Sequence, residues 1–513
     1  MNKSDNNKRL VKNTLLLYIR MIVTTLVSLF TARITLQLLG VEDYGINNVV
    51  GGIVGFVGIV TGTMTSASQR FLAYHLGNND KLKFQNTFSM LINIFAIFCI
   101  IIVIVMEIIG PYLLNHVLVI PSERLYAAIW VFQFSIMSFC LTTMLIPYTS
   151  AIVSYEKMGI YAYFTFVDVF MKLLIVYALY VTPLDKLITI SFLSLCSSLL
   201  VNIINYVYCK KKLVGCSFKM YWDASVFKEV TSFAGWNLFG STTTVLNYQG
   251  QAMLLNVFFG PVVNAAKAIA DKINQIIYSF CQNFFMAMNP QIIKTYASGD
   301  LDYTRRLVFK SSRLAFLLYS LIALPFIFNM KELLFLWLGE KQVSHEMIMF
   351  SQLILVLSFM NNLESPITQT VRATGKIKKY QFTVGVLTLL FLPISYIVFK
   401  FGAAAYSSMI VLCLIYFIAM FFRVCFLKRI LHLNKKDYFL NVIKPLIPAM
   451  AISLFVLSLV HHCVSFDAVW YKILQLFTDF LFVGVTILVV GLSKNERMMV
   501  KNLITNKFKK NGR

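Results

Sequence analysis

Long apolar runs separated by short polar loops dominate the chain. A helix needs about 20 apolar residues to cross a bilayer, and that ruler predicts fourteen spans: 13–39, 45–68, 84–110, 124–148, 160–182, 187–208, 233–259, 266–289, 307–329, 346–370, 380–400, 402–427, 441–461 and 469–492. The runs are continuous. Outer-membrane barrels instead alternate apolar and polar residues along each strand. The pattern therefore predicts an all-α polytopic membrane protein. The polar start, with Lys3, Lys8, Arg9 and Lys12, leads into an apolar stretch too long for a signal-peptide core, so the first span is expected to be retained.

Composition agrees with this reading. Of 513 residues, 58% are hydrophobic and 13% charged, against about 25% charged in soluble domains. The net charge of +24 would suggest nucleic acid in a soluble chain, but here the positive charge sorts by side and no nucleic-acid partner is implied. Of the 46 Lys and Arg, 35 lie in the N-terminus, in the loops near 69–83, 157, 210–228, 294–313, 372–379 and 423–444, and in the tail. The opposite loops hold only Arg124, Lys186, Lys331, Lys341, Lys400 and Lys472. This asymmetry predicts that both termini are cytoplasmic. Trp222, Trp236, Trp337 and Trp470 fall near span ends, as an interfacial belt requires.

Several chemistries lack their residues. The nine cysteines contain no CxxC and form no framework. No P-loop occurs, and no histidine sits mid-span, which weakens a membrane acyltransferase. Glu42 and Asp43 form an acidic pair in the first outer loop. A membrane glycosyltransferase or polymerase would use such a pair, but these outer loops are too short to build a catalytic domain. The expectation is a carrier without catalytic residues, metal or cofactor.

The chain also repeats. PYTSAIVSYEKMGIY (147–161) matches PITQTVRATGKIKKY (366–380), and LLGVEDYGINN (38–48) precedes FFGPVVNAAKA (258–268) by 220 residues. Six spans separate the copies, so the halves share one orientation, as in parallel-repeat transporters. The expected organisation is a first lobe over 1–208, a basic linker over 209–232, a second lobe over 233–427, and two further spans with a basic tail over 428–513.

Polar residues inside the spans mark candidate function. Arg20, Thr24, Ser28, Thr31 and Thr35 share one face of the first span. Gly51, Gly55, Gly58 and Gly62 stripe the second, a pattern that more often packs helices. Asn237, Ser241, Thr244, Tyr248 and Gln251 share a face of the seventh span, and Lys267, Asp271, Asn274, Gln275 and Tyr278 a face of the eighth. Charges at membrane depth cost free energy unless they face a cavity or a partner. Arg20, Arg33, Lys172, Lys267 and Lys272 are thus the candidate cationic lining, and Thr24, Thr31, Asn237, Thr244, Gln251, Asn274 and Gln275 the polar lining. Asp168 pairs by spacing with Lys172, and Asp271 with Lys267 or Lys272. Asp168, Asp271 and Glu364 are candidates for coupling to H+ or Na+. Cations outnumber acids, which suits an anionic ligand better than a cationic drug.

ARITLQLLGVEDYGINNVV (32–50), SASQRFLAYHLGNND (66–80) and FFGPVVNAAKAIADKINQ (258–275) carry a resemblance. The chain resembles the O-antigen and capsular polysaccharide flippases, the polysaccharide-transporter branch of the multidrug/oligosaccharidyl-lipid/polysaccharide (MOP) exporter superfamily. The resemblance covers the first twelve spans. It implies a MATE-like fold of two six-helix lobes in a V, placed in the bacterial cytoplasmic membrane. It also implies alternating access that moves an undecaprenyl-diphosphate-linked oligosaccharide to the periplasmic leaflet. Polymerase and chain-length proteins of the same pathway are the implied partners besides the bilayer. Arg33 matches the first-span pattern of the branch and Lys267 the corresponding second-half stretch. Arg20, Lys172 and Lys272 have no motif to anchor them. A MATE-type drug or cation exporter is the alternative on the same fold.

Overall fold

A computed structural model describes residues 58–117, 120–340, 343–463, 469–493 and 496–498, together with most of 16–50. Arg33, Glu42, Gly51 and Gly55 lie outside the described residues. Every element among the described residues is helical. The helices are α1 (Leu16–Ser28), α2 (Gly58–Gly77), α3 (Lys81–Tyr112), α4 (Leu125–Ser154), α5 (Met158–Val181) and α6 (Lys186–Lys212). After them come α7 (Ala224–Phe259), α8 (Pro261–Ala297), α9 (Leu301–Phe328), α10 (Met330–Leu338) and α11 (His345–Thr374). The last are α12 (Lys378–Leu389), α13 (Phe391–Lys400), α14 (Ser407–Leu431), α15 (Lys435–Tyr438), α16 (Lys444–Cys463) and α17 (Val469–Thr486). Ten of the described helical segments are long and apolar enough to cross a membrane. The protein is a multi-pass membrane protein.

Three helix starts are capped by aspartate side chains. Asp80 accepts from the Lys83 N–H at 3.0 Å, Asp185 from Leu187 and Ile188, and Asp223 from Ser225 at 2.8 Å. The run predicted as one span over 380–400 is two helices that break at Leu390. Pro393 supplies no N–H to continue a helix from upstream, which places the break just before it. The nine-residue α10 was not expected from sequence, because its apolar run is far shorter than a span. The connection between α6 and α7 is shorter than the predicted linker. Residues 213–223 lie along α3, where Gln85 donates to the Ser217 hydroxyl at 2.6 Å and Asn93 to the Tyr221 carbonyl at 2.9 Å.

Contacts divide the chain into two compact units. The first comprises Met1–Ser241, Met286–Asp300 and Gly375–Lys378; the second comprises Thr242–Phe285, Leu301–Thr374 and Lys379–Arg513. The units do not follow the sequence lobes. The first includes the start of α7 and the end of α8, because those two helices run to 36 and 37 residues. At 1.5 Å per residue they exceed the ~30 Å hydrocarbon core by many residues.

The repeat is visible in the backbone. Left-handed φ angles occur at Gly40, Asn79 and Glu156, and again at Gly260, Gly299 and Gly375. The spacing between partners is 219 or 220 residues. Each second-half position is glycine, the residue that takes this conformation without steric cost. Asparagine tolerates it. Glu156, at φ 58°, is the outlier.

Candidate functional site

Polar faces on two helices line one cavity in the second unit. On α7, Thr244, Asn247, Tyr248 and Gln251 recur every three to four residues; on α8, Lys267, Asp271, Asn274, Gln275 and Tyr278 do the same. Neither helix is among the ten apolar spans. Both faces turn into one cavity of about 650 Å³, closed by Ser358 and Asn361 of α11, Phe391 of α13, and Met409 and Tyr416 of α14. Lys272 lines it too. Of the residues singled out in the sequence, Thr244, Gln251, Lys267, Asp271, Lys272, Asn274 and Gln275 therefore meet here.

The lining carries five carboxamides, three phenols, two lysines and one carboxylate. Part of its hydrogen-bonding capacity is spent on the walls. Asn247 donates to the Thr388 carbonyl at 3.1 Å, Gln251 to the Ser408 hydroxyl at 3.0 Å, and Ser358 to Asn274 Oδ1 at 2.7 Å. These bonds fix the amide planes, and Asn247 Oδ1 keeps no partner. Lys267 is 5% exposed. Its Nζ lies 2.5 Å from Asp271 Oδ1 and 5.6 Å from the centre of the Tyr248 ring. Asp271 thus neutralises Lys267, which leaves Lys272, exposed and with no ion pair among the described residues, as the uncompensated charge of the cavity.

Glu364 is not the lone carboxylate suggested by its isolation in sequence. It is ion-paired with Arg423 of α14, and Arg372 adds a second guanidinium within electrostatic reach. Sequence reading assigned both arginines to loops. Arg423 instead sits within α14, only 5% exposed. The signal that could have found it is an arginine embedded in the apolar run FFRVCF, which needs a buried counter-charge.

The remaining candidates lie in the first unit. Asp168 and Lys172 form an ion pair at 2.9 Å. Asp168 lines a groove of about 230 Å³ among α4, α5 and α6, with Thr142, Thr165, Asn202 and Asn205. Lys172 is not among the groove's lining residues; it extends to an exposed position. The Arg20 guanidinium stacks 4.7 Å from the centre of the Tyr161 ring, with Nε and Nη1 lacking hydrogen-bond partners. Thr24 returns its hydroxyl to the Met21 carbonyl within α1 at 2.9 Å, and Thr31 donates to the Ser28 carbonyl at 3.2 Å. Asn237 is buried in α7, at 2% exposure. Among the described residues, nothing lies within contact distance of a Cβ built at Gly58 or Gly62. Asp43 is a structural tie. It accepts from Arg124 Nε at 2.7 Å, while Arg124 Nη1 reaches Asp185 at 2.7 Å.

The MatE family matches residues 242–397, the stretch that contains most of the cavity. No curated protein matches the chain. Solved structures match far more widely. A MATE in the straight conformation aligns with TM-score 0.71 at 12% identity, covering 83% of this chain and 96% of its own. The Vibrio cholerae MATE transporter VcmN in the bent form aligns with TM-score 0.68 at 16% identity, covering 86% and 99%. An outward-facing multidrug resistance MATE family transporter of the MOP superfamily aligns with TM-score 0.70 at 12% identity, covering 83% and 96%. With these overlaps along nearly the whole length of each transporter, the chain has the MATE transporter fold.

Proposed function

We propose that the protein is a MOP-superfamily exporter that carries a lipid-linked oligosaccharide across the cytoplasmic membrane by alternating access. The observation that carries this reading is the chemistry of the cavity in the second unit. Five carboxamides and three phenols offer paired donors and acceptors to sugar hydroxyls, and Lys272 adds a net positive charge suited to a diphosphate. Carrying such a head group through hydrocarbon unaided is prohibitive, because each unsatisfied polar group costs several kcal/mol. A polar cavity removes that cost, while the isoprenoid tail stays in lipid. The sorting of Lys and Arg supports cytoplasmic termini. The substrate is then an undecaprenyl-diphosphate-linked oligosaccharide, polymerase and chain-length proteins act downstream, and the protein itself performs no covalent chemistry.

A second reading, an ion-coupled drug or cation exporter, is favoured by the MatE match and by the carboxylates Asp168, Asp271 and Glu364. Proteoliposomes separate the two. A fluorescent undecaprenyl-diphosphate oligosaccharide should become accessible to an impermeant quencher only when the protein is present. Lys272→Ala should slow this about tenfold, the worth of one charge-assisted hydrogen bond. Efflux of a cationic dye, with no movement of the glycolipid, would establish the second reading instead.

A further inference from the structure

We propose that Glu156 is the catch of a latch on the basic side of the protein, closed in this structure and released when the carrier opens to that side. The proposal rests on the alternating-access reading and names the contact that alternation must break.

Glu156 occupies the turn between α4 and α5 at φ 58°, where its repeat partner Gly375 has φ 76°. The first half has placed a carboxylate where the second half has the residue suited to that backbone. The side chain is also buried, at 6% exposure. A strained backbone and a buried charge at one residue persist only where the surroundings hold them. Here Lys294 Nζ lies 2.8 Å from Glu156 Oε1, and Gln291 donates to Oε2 at 3.3 Å. Both come from the last turns of α8, in the second repeat.

A mirror contact lies at the glycine. A Cβ at Gly375 would lie 2.4 Å from Arg70 Nη2. Arg70, on α2 of the first repeat, fills that space and reaches Glu229 at 3.3 Å. Each repeat thus sends a cation from its second helix onto the other repeat's left-handed turn. Between the two cations, α2 and α8 touch through backbone, since a Cβ at Gly77 would lie 2.5 Å from the Lys294 carbonyl oxygen. All these segments belong to the first compact unit. No sugar head group fits between α2 and α8 while they touch in this way.

Ion pairs suit such a seal. The two charges lose hydration on closing and regain it on opening, so the closed and open states stay close in free energy. An apolar seal would gain nothing from water. Glu229 is 61% exposed and Glu156 side chain 6%, so the hold resides mainly in Glu156.

Hydrogen exchange of the full-length protein in nanodiscs, without substrate, tests this. Glu156→Gln should speed exchange in segments 152–160 and 286–297 at least about tenfold. Exchange near 120–126 and 182–188, at the opposite ends of the helices, should slow as the population shifts. Glu156→Gly preserves the turn, as Gly375 does, and should show the same reciprocal pattern. Glu156→Lys with Lys294→Glu should return exchange toward wild type. Faster exchange at 152–160 alone, or acceleration at both ends, would make Glu156 a turn-holding residue and overturn the latch. Because no substrate is present, failure of the glycolipid assay leaves this result intact, and the reverse also holds.

Discussion

On α5, Asp168 and Lys172 are four residues apart and close an ion pair at 2.9 Å; on α8, Lys267 and Asp271 have the same spacing and close at 2.5 Å. The surroundings differ. The α5 side chains are 37% and 51% exposed, whereas Lys267 and Asp271 are 6% and 17% exposed. The order differs as well. Acid before base is the arrangement a helix favours on its own, and α5 obeys it while α8 reverses it. The α8 pair is therefore not one that helix preference selects; it is buried beside the Tyr248 ring. The same spacing yields an exposed pair in one unit and a buried pair in a cavity wall in the other.

Breaking each pair should separate them most. Lys267→Met leaves Asp271 largely buried without a counter-charge, and should cost about 3 kcal/mol in detergent unfolding experiments. Adding Asp271→Leu should recover most of that loss. Lys172→Met should cost under about 1 kcal/mol, as exposed pairs do. Equal losses in the two helices would show that the burial difference has no energetic weight.

Transport sharpens the contrast at the next scale. Lys272→Ala should slow glycolipid movement about tenfold with little change in melting temperature, and Lys172→Ala should leave the rate within about twofold. Reversing the α5 pair, with Asp168→Lys and Lys172→Asp, should cost only about 0.3 kcal/mol, the preference of the helix for one order.

The smallest effect concerns a carboxylate that needs no cation. Asp223 lies half-buried at the start of α7, and hydrogen bonds from the Ser225 side chain and backbone hold its carboxyl below the ordinary range. A depressed carboxylate contributes its stabilisation above its unfolded pKa and loses it as pH falls through the folded one. Amide exchange in the first turn of α7 should therefore rise only when pH drops below the usual carboxylate range, and Asp223→Asn should abolish that dependence.

Much of this was readable beforehand. The polar faces of α7 and α8 follow from helical period, which already groups Thr244 with Gln251 and Asn274 with Gln275, and the structure turns all four toward one cavity. The pairing of Lys267 with Asp271 was open, because Lys272 is equally near in sequence. Arg423 and Arg372 were missed, since proximity to a predicted span end gives an arginine the look of a loop charge. Glu156 was visible only as one position in a repeat. Its partners on α8 lie more than a hundred residues away in the chain.

The helical class, the spans, the sorting of positive charge and the repeat follow from the sequence alone, because hydropathy and helical period are properties of neighbouring residues. Tertiary structure decided which cations are neutralised, which arginines are buried and which turn carries strain. Those outcomes depend on water being excluded between helices distant in the chain, and only packing sets where that happens.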